Sequence, residues 1–135
     1  MNVTKEMVEK ITEELDFKFD AIEINTEMKT GVINLFGFKI LIVNPKQIEK
    51  FEGKLKEAII HEILHFKLGH MDNYEKDFIK VKDFFKVDDY KALKFLNLLN
   101  DAEVEHTMRE MGYRLQEGDE ATINKLLTIR KKVLG

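Results

Sequence analysis

Five residues in the middle of the chain carry the chemistry: His61-Glu62-Ile63-Leu64-His65, a run of the form HExxH. On a helix, two histidines four residues apart stand on one face, separated by about 40° around the axis, so both imidazoles can reach a single ion. Neutral imidazole nitrogens suit zinc, which in catalytic sites takes three protein ligands and leaves a fourth position for water. Glu62 projects from a neighbouring face of the same turn, where a carboxylate can reach that water without binding the metal. Such an ion lowers the pKa of its water toward about 7, and a nearby carboxylate then takes the proton and later hands it to a leaving amine. The motif therefore predicts a zinc site at His61 and His65, with Glu62 as general base for peptide-bond hydrolysis. The plain alternative is two core histidines with an accidental glutamate between them.

The residue types that are missing narrow the chemistry further. The 135-residue chain contains neither cysteine nor serine, so serine and cysteine nucleophiles are excluded and no disulfide framework exists. Hydrolysis must then use threonine, lysine, paired carboxylates or a metal-activated water. The 22 basic and 25 acidic residues give a formal charge of −3 and are scattered without a long block of either sign. That pattern recommends neither nucleic acid nor a membrane as a partner. No stretch approaches the roughly 20 apolar residues of a membrane span, and charges interrupt the N-terminus where a secretory peptide needs an apolar run. A soluble, cytoplasmic protein is expected. With 44% hydrophobic residues the chain is long enough for one core, and it reads as a single domain over 1–135.

The elements that must position the motif follow from periodicity. Val3, Met7, Val8, Ile11 and Leu15 recur at helical spacing, which predicts a helix over 4–15 with that stripe inward. Phe17, Phe19, Ile22 and Ile24 alternate with polar residues, apart from a slip at Ala21, and predict a strand. Residues 31–43, GVINLFGFKILIV, read as a hairpin or two short strands around Gly37, ended by Asn44-Pro45. From 54 to 68 the pattern is helical and apolar nearly all round, which places the motif helix in the interior, with Gly69 as its C-terminal cap. Further helices are predicted over 73–85, 89–111 and 119–134. The fold class expected is α+β: a small, mostly antiparallel sheet packed on a buried motif helix, with additional helices.

HEILHFKLGH, residues 61–70, resembles the active-site helix of the zincin metallopeptidases, and the order of helix, strands and buried motif helix is similar to their minimal N-terminal subdomain. In that family the third ligand is a histidine soon after the motif or an acidic residue on a later helix. The metzincin branch has glycine three and histidine six residues beyond the second histidine; Leu68 and Met71 stand there, so that branch does not fit. The segment NLLNDAEVE, residues 97–105, is similar to the one that follows HExxH in compact gluzincin-like peptidases, including domains found beside von Willebrand A modules. Asn97, Asp101 and Glu105 match its pattern of Asn, Asp and then Asn or Glu at four-residue intervals. The resemblance thus implies Asp101 as third ligand and Glu105 as a partner of a zinc-bound histidine. Glu103 is the alternative, by alignment with the ligand glutamate of thermolysin-like families, although Thr107 stands where those families have an aspartate. The resemblance spans residues 17–112.

It also implies that a peptide or protein substrate adds as a strand to a sheet edge above the motif helix, for which Phe38–Val43 is the candidate. His70 is placed near the cleft, steadying an oxyanion, against the alternative of an exposed helix-end histidine; Tyr113 or Arg114 are other candidates for the oxyanion donor. His106 reads as a surface histidine. Two further readings keep the same fold and metal. One is a partner-dependent regulatory module related to phage-repressor proteases of the ImmA type. The other is a latent enzyme whose residues 115–135 cover the cleft. Oligomeric state is not legible in the sequence.

Overall fold

The computed structural model describes residues 2–51 and 54–135. The architecture is α+β, with six helices and a three-stranded sheet among the described residues. The chain divides into two compact units, residues 1–63 and 64–135, and the division falls inside the motif helix, which runs through it unbroken.

In the first unit, α1 (Lys5–Glu14) starts where Thr4 caps it, its hydroxyl accepting from the Met7 N–H at 3.3 Å. The helix buries Val8 and Thr12, whereas Met7 is exposed. The inward stripe is therefore rotated from the one expected, and Thr12 tolerates burial because its hydroxyl donates to the Glu9 carbonyl at 2.8 Å. β1 (Ala21–Ile24) is shorter than the alternation suggested. Phe17 and Phe19 precede it, in the stretch where Asp16 adopts a left-handed φ of 52°. β2 (Gly31–Leu35) and β3 (Phe38–Val43) form the expected hairpin, with Leu35 opposite Phe38. The two turn residues, Phe36 and Gly37, both have positive φ, as a tight hairpin turn with right-handed strand twist requires.

The sheet is mixed, with strand order β1-β3-β2. β2 and β3 are antiparallel, but β1 runs parallel to β3. β3 is consequently the central strand, its backbone paired on both sides. The expectation that Phe38–Val43 receives a substrate strand is overturned, because strand addition needs unpaired backbone groups and only β1 and β2 have an outer edge. The crossover between β1 and β2 is held by Asn44. Its side-chain amide donates to the Met28 carbonyl at 2.9 Å, and its backbone N–H donates to the Thr30 hydroxyl at 2.9 Å. The same Asn44 caps α2 (Pro45–Lys50), accepting from the Lys46 N–H with Pro45 in the first turn. This short helix was not expected, although an Asn-Pro pair before Ile48 is a helix-start signal as well as a strand stop.

The motif helix α3 (Leu55–Lys67) is buried from Ala58 to Leu64. Gly69 ends it at φ 78°, with the His70 N–H reaching back to the His65 carbonyl at 3.0 Å. The second unit contains α4 (Tyr74–Phe85), α5 (Asp89–Glu110) and α6 (Glu120–Leu134), close to the ranges expected. Their core joins Val81 of α4 to Ala92, Leu96 and Leu99 of α5, and Leu126, Val133 and Leu134 of α6 pack against it. Asp88 and Asp119 cap α5 and α6 through their side chains. Residues 120–134 are thus anchored to this core. None of the described helices is long and apolar enough to cross a membrane.

Candidate metal centre

His61 and His65 lie one turn apart on α3, and helical continuity sets their mutual placement. Asp101 is presented by α5, with its Oδ1 3.2 Å from the Nε2 of His65. His61, His65 and Asp101 each offer a ligand atom, all within 4.8 Å of one another. The three ligand atoms are close enough that His61, His65 and Asp101 would be able to approach one ion together. Two imidazoles and one carboxylate suit zinc chemically, and Asp101, with 35% of its side chain exposed, leaves the group open on one side. Glu62, next to His61 in sequence, is buried.

The other carboxylates on α5 separate cleanly. Glu103 is not a member of the ligand group. Its Oε1 lies 2.7 Å from His70 Nε2, and its Oε2 accepts from Arg130 Nη1 at 2.9 Å. Glu105, 1% exposed, does not touch a motif histidine as the resemblance implied. Its Oε1 accepts from Arg109 Nε at 3.2 Å and from the backbone N–H groups of Leu115 and Gln116, both at 3.3 Å. Its other oxygen has no hydrogen-bond partner among the described residues. This carboxylate anchors the loop after α5. Asn97 is exposed, so of the three residues spaced by four only Asp101 joins the histidines.

His70 is not the exposed helix-end histidine of the alternative reading. It is 2% exposed, and its Nδ1 lies 3.0 Å from the Nδ1 of His65. Burial lowers its pKa below the usual histidine value, outweighing the Glu103 carboxylate that raises it. His106 lies on the outer part of α5 and pairs with Glu110 at 2.6 Å, as expected of a surface histidine. Arg114 donates to the Gly118 carbonyl at 3.1 Å within the loop after α5. Sequence reasoning missed Arg130 and Asn100. Arg130 carries no local signal, being one cation among several on α6. Asn100 stood in a run of candidate polar residues, and its burial beside leucines is its only mark.

Comparison with family models, with curated proteins and with solved structures found no match. The geometry and chemistry of these residues therefore carry the functional reading.

Proposed function

We propose that this protein is a zinc-dependent metallopeptidase of the zincin type, acting on peptide or protein substrates in the cytoplasm. The observation that carries the reading is the grouping of His61, His65 and Asp101, reached from two helices, beside a glutamate with the spacing of a general base. A bound zinc ion supplies Lewis-acid activation of water and of the scissile carbonyl. The protein's own part is divided among four side chains. His61, His65 and Asp101 would hold the ion. Glu62 accepts the proton from the attacking water and returns it to the departing amine.

An ion in a purely structural role is the competing reading. It is disfavoured by the partly open group and by the glutamate in the base position, since structural zinc sites usually close their fourth position with another side chain. The test compares zinc content and peptidase activity in wild type, His65→Ala, Asp101→Ala and Glu62→Gln. One zinc per chain, lost on removing either ligand and kept in Glu62→Gln with turnover down by at least 100-fold, is the expected pattern. Undiminished proteolysis by Glu62→Gln would overturn the mechanism.

A further inference from the structure

Behind His65 lies a chain of contacts that the proposed reaction does not use. It runs from Arg130 on α6 through Glu103 on α5 and His70, just beyond α3, to the ring of His65 on the side away from Asp101. Each link is short: Arg130 Nη1 to Glu103 Oε2 at 2.9 Å, Glu103 Oε1 to His70 Nε2 at 2.7 Å, and His70 Nδ1 to His65 Nδ1 at 3.0 Å. Arg130 also donates from Nε and Nη2 to Asn100 Oδ1 at 3.3 and 3.2 Å, which fixes the guanidinium at the head of the chain.

The polarity of the chain follows from counting protons. A carboxylate held by a guanidinium is ionised and only accepts, so His70 Nε2 is the donor to Glu103. A neutral imidazole has a single N–H, so His70 Nδ1 is left as an acceptor. The Nδ1 of His65 must then be the donor to it. That leaves the Nε2 of His65 with its lone pair, and this atom is the one 3.2 Å from Asp101 Oδ1. That atom and Asp101 Oδ1 are thus placed to share a cation. In the opposite polarity an unprotonated His70 Nε2 would sit 2.7 Å from a carboxylate oxygen, lone pair against lone pair.

We propose that His70, backed by Glu103 and Arg130, is a positioning residue that fixes the tautomer and orientation of His65, so that His65 Nε2 is presented to a metal ion as a lone-pair donor. The inference rests on the zinc reading above. The resemblance in the sequence had offered His70 an oxyanion role, and the relay replaces it. Burial of His70 at 2% exposure and the two-ended engagement of its ring make it a fixed strut. Supporting partners of ligating histidines commonly act in this way, aiming the ring and raising its basicity.

The test uses the full chain and zinc itself. Zinc affinity is measured by competition with a chromophoric chelator for wild type, His70→Phe, Glu103→Gln, His65→Ala and, as a control outside the relay, His106→Phe. His70→Phe is expected to weaken zinc binding by about 10–100-fold and Glu103→Gln by less, because its amide oxygen still accepts from His70, with His106→Phe unchanged. If His70→Phe does not fold, Glu103→Gln, nearly isosteric, carries the comparison. The second readout is nitrogen NMR of the imidazoles in the zinc-loaded wild type, which a merely structural His70 would leave unconstrained. The expected signature is a proton on His65 Nδ1, coupled across the hydrogen bond to an unprotonated His70 Nδ1. A proton found on His70 Nδ1 instead, or equal zinc affinity in wild type and both relay variants, overturns the proposal while leaving the metal centre standing. Zinc uptake that survives His65→Ala overturns the centre and the relay together.

Discussion

Replacing Arg130 by methionine tests how much of the second unit depends on one cation. The guanidinium serves two residues of α5 at once: Glu103 through a charge-assisted bond of 2.9 Å, and Asn100 through two longer bonds to one oxygen. Methionine keeps much of the stem's packing and removes only the donors. Glu103 is 27% exposed in its side chain, so water takes over part of the lost contact, and the cost sits toward the low end of the roughly 1.5–3 kcal/mol for a hydrogen bond to a charged group. Asn100 is almost fully buried, and its oxygen left without a donor costs about 1–3 kcal/mol more. Together the loss should be about 2.5–4.5 kcal/mol, read as a lower urea midpoint with unchanged slope in metal-free protein. Lys132→Met, on an exposed position of the same helix, should stay within about 0.5 kcal/mol. Adding Asn100→Leu to Arg130→Met should recover part of the loss, because removing both partners of a buried polar contact is cheaper than removing one. A loss below about 1 kcal/mol for Arg130→Met would refute the assignment of Arg130 as the strut between α5 and α6.

Three further outcomes follow from other parts of the chain. Glu105→Ala should destabilise the protein by about 3–5 kcal/mol, since it strips the partner from Arg109 and from two backbone N–H groups, yet zinc stoichiometry should be unchanged; loss of zinc in a folded variant would return Glu105 to the metal site. Lys86→Gly should stabilise by up to about 1 kcal/mol in urea unfolding, because Lys86 ends α4 in the left-handed region at φ 54°, where glycine is not strained. Phe36→Asn should stabilise the hairpin by a few tenths of a kcal/mol to about 1 kcal/mol by the same measurement, as Phe36 is fully exposed at φ 51° and asparagine accepts that conformation readily. Unchanged or lower stability in either variant would mean that the side chain makes a contact worth more than its backbone strain.

The sequence by itself determined the local features. Apolar positions at helical spacing, and Gly69 as a terminator, placed α3 to α6 within a few residues, because these signals act over one or two turns and need no distant partner. The same locality made His61, Glu62 and His65 legible, since a helix alone sets their spacing. Strand order was not local. Whether residues 38–43 lie at an edge or in the centre depends on how β1 pairs, and a parallel partner nineteen residues away leaves no mark in the alternation. The choice among Asp101, Glu103 and Glu105 was likewise beyond periodicity. All three lie on one helix within five residues: Glu103 is turned about 200° from Asp101, but Glu105 is only about 40° away and one turn further along, so spacing alone does not say which carboxylate meets His65, Arg130 or Arg109. Only the tertiary placement of α5 and α6 decided which histidine or arginine each carboxylate meets, and only that placement turned His70 from an apparent helix-end residue into the buried neighbour of His65.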